Sequence, residues 1–562
     1  MMDAVVKIPQ IKGKITIKTV RGKKYVYFEY GRIYHPEKRY NVPQRAVIGR
    51  VDDSDPTMMH PNNQYLKYIP DGEIPQEGDI KHSHCLRIGS TVVIKKILQY
   101  FRIPEMLAKY FAPKEAGLFL DMVSYSLICE NNAGQYYPDY AYNHPLFTPN
   151  MHIYSDSKVS DFLTSITADQ SVAFLNDWNA VHDHREKIYI SYDSTNKNSQ
   201  AGDLEIVEYG HPKVDIGLPV FNYSMAYDTY NRVPLFYEEY PGSIVDVSQL
   251  RYMLDKAKEY GYRHAGFILD RGYFSKDNIK YLENSGYDFV IMMKGRKPLV
   301  RELIRKHQGE FENKRSCGIR DYKAYGITIK GHLFDNDTKE CYLHLYYSDL
   351  KKSAEREAIE AKVERMAKLI QKHEGKKFEP SKAYKEYFNF TFDRDGTLIC
   401  ATEKESVIEE EISLCGYYVI VTSEHMNAKD ALELYKSRDN SEKLFRGDKS
   451  YLGNSSLRVC SNESASAKIF VEFVALIVRC RIYTLLKREA HRMDKKENYM
   501  TVPAAMRELE KIEMIKLTSG RYRLSHALTA TQKAILQAFN LTEDNVRWEA
   551  SKISDAMAKI EA

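Results

Sequence analysis

The chain has 562 residues, enough for roughly four structural units at about 150 residues each, and its 43% hydrophobic content supports a large buried core. No apolar run reaches the ~18 residues of a transmembrane helix, and the N-terminus lacks the basic-then-apolar layout of a signal peptide. Eight cysteines with no Cys-x-x-Cys pair exclude a disulfide scaffold and point to a reducing cytoplasm. The net charge is only +5, but residues 1–50 hold twelve Lys/Arg against three Asp/Glu. A basic front end on a near-neutral body suggests a polyanion partner, most simply nucleic acid, or else a solvated basic strand face.

Residues 12–51 alternate in short β-like runs interleaved with Lys and Arg, and the Pro- and Asp-rich stretch from Val51 to Gly78 reads as a linker. From Ser90, the expected helix cap, Val93, Ile94, Ile97, Leu98 and Phe101 recur at helical spacing, and helical runs continue to about Val181. Strands are expected at Lys187–Asp193, Val214–Tyr223, Val233–Tyr240, Ala265–Asp270 and Tyr287–Met293. Helices are expected from Val247 to Tyr260 and after a Ser275 cap. This order indicates a mixed α/β sheet with at least one parallel crossover. Residues 297–413 read as an insertion of short strands around a charged helix from about Ser353 to His373. The α/β pattern resumes at Gly416, a long helical region runs from Ala428 to about Arg488, and the tail is mostly helical with a turn at Thr518.

Two aspartates end apolar strands of the α/β unit: Asp193 in Tyr-Asp-Ser-Thr and Asp270 in Leu-Asp-Arg-Gly-Tyr-Phe. A charged residue rarely ends a buried strand without a partner or a cation. Either alone also reads as an N-cap or turn residue; together, on neighbouring strand ends, they can share divalent metal ions. A third element is the run from Tyr435 to Lys449. At roughly 100° per residue, Tyr435, Arg438, Glu442 and Lys449 fall within a stripe about 60° wide if the helix is unbroken, with Gly447 placing its last turn in question. One acid, two cations and a phenol on one face can serve a metal ion and adjacent phosphates; the stripe equally reads as a solvated polar face. His82-x-His84-Cys85 has no complementary cluster and reads as linker. No phosphate-binding loop of the ATPase type is present.

The aspartate pair followed by Tyr-x2-Arg-x3-Glu-x6-Lys resembles prokaryotic insertion-sequence transposases of the DDE class that carry the YREK signature, matched at Tyr435, Arg438, Glu442 and Lys449. Tyr209-Gly-His-Pro-Lys, the stretch from Val233 to Asp246 and Leu457-Arg-Val also resemble family motifs, and the likeness spans roughly residues 150–540. The resemblance implies an α/β multidomain protein whose RNase H-like mixed-sheet core is interrupted by a mainly β insertion. Residues 1–85 are then a basic β-rich region contacting DNA, and 86–185 a helical domain. The core occupies 186–296 and 414–490, around the insertion at 297–413, and the helical 491–562 suits dimerisation.

By the same resemblance, Asp193, Asp270 and Glu442 are catalytic and hold two Mg²⁺ ions, with Mn²⁺ a substitute. Tyr435, Arg438 and Lys449 contact DNA phosphates near the transposon end, with Arg446 a further candidate. The implied reaction is cleavage at the ends of a mobile element and transfer of the 3′-OH ends into target DNA, cut-and-paste, through a hairpin. Its partners are terminal inverted repeats, target DNA and a second copy of the chain, in a prokaryotic cytoplasm at the nucleoid. A transposase-derived DNA-binding protein that no longer cuts, or an RNase H-fold nuclease that does not join strands, are the alternatives. Relatives stack a flipped base on an insertion tryptophan, but the only tryptophans here are Trp178 and Trp548; Tyr322, Tyr325, Tyr346 and Tyr347 offer other aromatic faces.

Overall fold

Apolar–polar alternation at the start of the chain folds into an antiparallel sheet in the order Val6–Lys7, Met58–Pro61, Tyr40–Val51, Lys23–His35, Ile15–Val20. The computed structural model describes residues 5–560 except 21, 37–38, 53–54, 63, 71–81, 182–186, 200–203, 211–216, 294, 296–297, 335–336, 338, 440–441, 444, 446, 448, 450–451, 453–455, 460 and 497–498. Val26, Phe28, Ile48 and Met59 bury one face of the first sheet against Tyr65 and Ile69. The stretch from 51 to 78 therefore does more than link: it supplies the strand Met58–Pro61 and the helix Gln64–Tyr68 that close this small core.

The helix expected at Ser90 spans Gly89–Tyr100, but its N-cap is Ile88. The strand Cys85–Arg87 leads almost directly into it, so Ser90 lies inside the first turn and its hydroxyl donates to the Met506 carbonyl at 3.3 Å. That strand pairs with Glu513–Lys516, which pairs with Tyr522–Leu524. The expected turn at Thr518 is thus the bend of a β-hairpin, with Gly520 at φ +82°. The C-terminal helix Glu543–Ile560 packs back on the same region, where Lys95 meets Glu549 at 2.6 Å.

The central sheet has nine strands: β1 (Ile188–Asn198), β2 (Val220–Asp228), β3 (Val233–Pro241), β4 (Ala265–Leu269), β5 (Asp288–Met292), β6 (Gly318–Ile319), β7 (Ala324–Gly331), β8 (Cys341–Tyr347) and β9 (Tyr417–Thr422). Their order is β6-β7-β8-β9-β5-β4-β1-β2-β3. The first five strands form the RNase H-like arrangement, 3-2-1-4-5: β1, β2 and β3 are antiparallel neighbours, whereas β4 runs parallel to both β1 and β5. Strand β2 is buried along its whole length, Asn222, Ser224 and Asp228 included; it starts at Val220 rather than the expected Val214, and 211–216 lie outside the described residues.

The segment expected to be a mainly β insertion divides in two. Strands β6, β7 and β8 extend the central sheet through β9. The rest holds the helices Pro298–His307, Lys382–Tyr387 and Glu405–Ser413 and a satellite of the hairpin Phe388–Phe392/Leu398–Glu403 and the 23-residue helix Asp349–Gln371, with its own core of Val363, Ile370, Tyr387 and Leu398. The Glu/Lys-rich sequence of that helix, with pairs such as Glu364–Lys368 at 2.7 Å, favours helix over strand.

The long helical region expected after Ala428 is broken among the described residues. Helix α1 (Ala428–Lys436) stops at a turn through Ser437 and Arg438, and α2 (Asn462–Arg492) begins where the Ser461 hydroxyl accepts from the Ser464 N–H at 3.2 Å. Helix α2 is apolar on nearly all sides and runs through the molecular core. Phe470 meets Phe119 and Phe174 of the N-terminal helices, with ring centroids 4.8 and 5.1 Å away, and Phe473 meets Tyr237 of β3 at 5.1 Å.

Candidate active site

Strands β1 and β4 pair in parallel from Ile188–Ala265 to Tyr192–Leu269, so the next residues on the two strands are Asp193 and Asp270. The register alone brings these aspartates side by side. Asp193 is not at a strand end, however. Strand β1 continues to Asn198 because its other edge stays paired with β2, from Asp193–Met225 to Asn198–Val220. Asp270 does leave its strand, at a short helical turn over Arg271–Tyr273.

Helix α1 lies on the face of the sheet where Ile268, Val290, Tyr346 and Ile420 pack with Leu432 and Tyr435. Its C-terminus is thereby delivered to Asp270. The Tyr435 hydroxyl donates to Asp270 Oδ1 at 3.4 Å, and Arg438 Nη1 forms an ion pair with the same oxygen at 3.0 Å. Arg438 Nη2 pairs closely with Glu442 Oε1, and the guanidinium sits 5.5 Å from the centre of the Tyr435 ring. The Arg438 side chain is only 12% exposed, whereas Asp270 and Glu442 are 37% and 44% exposed. Burial works against its charge, yet Tyr435, Asp270, Asp193 and Glu442 around it raise the guanidinium pKa above the ordinary value. Burial also raises the pKa of the Tyr435 phenol, so it stays a neutral donor.

The stripe expected on one unbroken helix is instead assembled across a turn. Tyr435 closes α1, Arg438 lies in the turn, and Glu442 and Lys449 are helical beyond it. The backbone still follows a helical sense, with Arg438 N–H donating to Tyr435 O at 3.2 Å and Glu442 N–H to Arg438 O at 3.3 Å. Phe445 anchors the second segment, buried with its ring 6.1 Å from Tyr223 of β2. Lys449 is half-buried, and Arg446 lies outside the described residues.

Some features were not legible beforehand. Gly210 and Gly242, from two separate family-like stretches, press together so closely that a Cβ on Gly210 would lie 1.9 Å from the Gly242 carbonyl oxygen. Asp246 accepts from the Tyr240 hydroxyl at 2.7 Å, and both Asp246 and Asp193 act electrostatically on the buried Tyr192 and Tyr273. Gly447 likewise faces Arg479 of α2, whose guanidinium carbon would be 3.1 Å from an added Cβ. Asp246 and Gly242 lay inside a quoted motif, but nothing local marked their partners.

Residues 201–478 match the family model of the transposase DDE domain. The match begins just after Asp193 and contains Asp270, Tyr435, Arg438, Glu442 and Lys449. It supports a transposase, an enzyme that cleaves and transfers DNA at that general level. No curated protein matches the chain. Among solved structures the chain is similar to a piggyBac transposase synaptic complex with hairpin DNA, determined by cryo-EM. The similarity is at 10% identity, over 83% of this chain and 82% of that one, with a TM-score of 0.36.

The family generally uses divalent metal ions. Among the described residues no three His, Cys, Asp or Glu side chains are gathered tightly enough to hold one. The donor chemistry nonetheless fits: Asp193, Asp270 and Glu442 offer only oxygens, which suits hard divalent cations. Two of these acids already converge on a positive charge, supplied by Arg438. No helix among the described residues is long and apolar enough to cross a membrane.

Proposed function

We propose that the protein is an insertion-sequence transposase of the prokaryotic YREK type, with Asp193, Asp270 and Glu442 as its catalytic acids. The observation that carries this reading is the convergence of Asp270 and Glu442 on Arg438, beside Asp193 in the sheet register, from positions up to 249 residues apart in sequence. A fold that draws separate acids around one cation has built an acidic centre at the edge of the parallel strands.

The three carboxylates would hold two Mg²⁺ ions, or Mn²⁺, which when bound supply Lewis-acid activation and neutralise charge on a transferring phosphoryl group. The chain's own residues bind and orient. Arg438, with its planar fork, and the Tyr435 hydroxyl grip phosphates close to the acids, and Lys449 does so further along the same segment. In this reading Arg438 exchanges one anion for another: it leaves the carboxylates as DNA phosphate and metal arrive.

The reaction is cut-and-paste cleavage at transposon ends and joining of 3′-OH ends to target DNA. The basic N-terminal sheet contributes end recognition; Lys18 lies over the Tyr27 ring at 5.6 Å, and Tyr30, Ile33 and Tyr34 are exposed on that sheet. For a hairpin step, Tyr346 and Tyr347 are buried, and Trp178 is buried with its indole donating to the Pro234 carbonyl at 3.0 Å. Tyr322 is 36% exposed, and Glu433 of α1 and Asp439 beside Arg438 act on its hydroxyl. It is the aromatic side chain best placed to stack a displaced base. A homodimer holds the two ends. The C-terminal hairpin and helices bury apolar surface against residues 85–100 of their own chain, so a dimer uses other faces of that region.

The test is incubation of the purified protein with its labelled transposon end, Mg²⁺ and target DNA, read on a denaturing gel. Nicks, hairpins and joined products support the reading. Cleavage without joining supports a nuclease instead, and end binding without any cleavage a retired binding protein.

A further inference from the structure

A second cationic site lies away from the acids. The segment 456–459 crosses the far end of β1, where Leu457 N–H donates to the Asn198 carbonyl at 3.3 Å and Ser456 bridges Asn198. Behind it opens a cavity of about 410 Å³ lined by Arg458, Lys468, Ser464, Ser160, Gln135 and Asp156, among others. Lys468 is 4% exposed and its ammonium donates to the Leu457 carbonyl, which uses one of its three N–H donors. Arg458 sits close enough to act electrostatically on Lys468 and on Tyr125. Burial lowers the Lys468 pKa; Glu472 attracts the ammonium, whereas Arg458 and Lys197 repel it.

Two like charges are thus crowded at one cavity whose lining, among the described residues, holds a single carboxylate, Asp156. The arrangement is held at a backbone cost. Arg458 has φ +51°, a left-handed conformation that a long side chain rarely takes. Such strain concentrates where a side chain must be aimed at a ligand. The hydroxyls of Ser464 and Ser160 add neutral hydrogen-bonding groups to the lining.

We propose that this cavity binds a phosphate group of the DNA backbone, through Arg458 and Lys468, at a point separate from the acid centre. The proposal rests on the transposase reading above. Strand β1 supplies the ruler: from Asp193 to Asn198 it advances five residues, roughly 17 Å, or about five base pairs along a duplex. Residues 194–197 of β1 are themselves buried, so the strand sets only the spacing: a duplex held at Asp193 brings a phosphate about five base pairs away to Arg458. The contact is to backbone and carries no base information, so it fixes register rather than sequence.

The probe is a fluorescein-labelled 30-base-pair duplex of arbitrary sequence, titrated with the full-length protein by anisotropy at several salt concentrations. The variants are Arg458→Gln, Arg458→Gly and Lys468→Gln, each checked by thermal unfolding. Removal of one phosphate contact weakens binding and lowers the salt slope by about one. Arg458→Gln and Arg458→Gly both show that loss, and the Gly variant melts at or above the wild-type temperature because glycine accepts φ +51° without strain. That pairing separates a binding role from a folding role, whatever happens to the buried Lys468 variant. Unchanged affinity and slope in both Arg458 variants, with wild-type protein binding the duplex, overturn the proposal and leave the transposase reading standing. A parallel calorimetric titration with inorganic phosphate tests the other source: if Arg458→Gln abolishes phosphate binding but not the duplex slope, the cavity takes free phosphate and the DNA assignment falls. Wild-type protein that binds no duplex at all removes the transposase reading itself.

Discussion

Arg438 holds Asp270 at 3.0 Å with one guanidinium nitrogen and pairs with Glu442 through the other. The acid from the end of a buried strand and the acid from beyond helix α1 are therefore joined by one nearly buried cation. An arginine among carboxylates stabilises their charges and keeps them from repelling one another. It also occupies the electrostatic position that DNA phosphate and divalent ions compete for.

Arg438→Gln is expected to lower DNA cleavage by about 100-fold, the scale of losing one preorganised electrostatic donor. Arg438→Lys recovers little, because an ammonium lacks the planar fork that grips a phosphate with two parallel bonds. Single-turnover cleavage assays on both variants, with anisotropy for binding, provide the check. Full activity in either variant removes Arg438 from the account.

Tyr435→Phe tests a weaker link. The hydroxyl lies 3.4 Å from Asp270, near the limit of a useful hydrogen bond, while the ring packs in the apolar cluster and under Arg438. A loss below about tenfold in cleavage is expected, since so long a hydrogen bond contributes about 1 kcal/mol even to a charged acceptor. A loss as large as that of Arg438→Gln would mean that the phenol, rather than the guanidinium, dominates.

Deeper in the core, Lys197 on β1 pairs with Glu472 on α2 at 2.7 Å, with side chains 0% and 2% exposed, and stands over the Tyr223 ring at 4.5 Å. Lys197→Met alone removes the close counter-charge of a buried carboxylate, which the Lys468 ammonium offsets only in part, and should cost up to about 3–5 kcal/mol in denaturant unfolding. The double variant Lys197→Met/Glu472→Leu should regain most of that loss. An equal loss in the single and double variants would show that packing, not charge, sets the cost.

His344 predicts an acid-side stability limit. It is fully buried on β8, with the Thr328 hydroxyl at 3.0 Å from Nδ1 and the Thr422 hydroxyl at 2.9 Å from Nε2. Thr422 donates to the Glu424 carbonyl, so its oxygen accepts from Nε2–H and the ring is neutral. Burial, reinforced by His425, lowers the His344 pKa to about 4. The unfolded chain, with a pKa near 6.5, therefore binds a proton that the folded chain refuses. Stability from this group is complete above about pH 6.5 and declines toward pH 4, by at most about 1.4 kcal/mol per unit. His344→Gln should flatten the unfolding temperature over that range; an unchanged profile would assign the loss to other groups.

Much of this was written locally. Strands β1, β3, β4 and β5 were marked by apolar runs, whereas β2 was expected at Val214–Tyr223 and is Val220–Asp228; both aspartates were visible as charges that interrupt such runs. The four-residue signature was equally plain, since its members lie within fifteen positions. What stayed hidden depends on long-range pairing. That β1 continues past Asp193 depends on β2, and that β6 to β8 extend the central sheet depends on their docking against β9. The break after Lys436 was invisible to helical periodicity, because the turn through Arg438 keeps a helical sense. The cavity at Arg458 combines residues more than 300 positions apart. No sequence pattern expresses that proximity.

The measurement that tests the central claim most directly compares wild-type protein with Asp193→Ala, Asp270→Ala and Glu442→Ala on the labelled transposon end, with and without Mg²⁺. Binding is read by anisotropy and products on a denaturing gel. Metal-dependent cleavage and joining in the wild type, absent from all three variants while end binding persists, is the predicted result. Cleavage that survives any one substitution would contradict the three-acid centre.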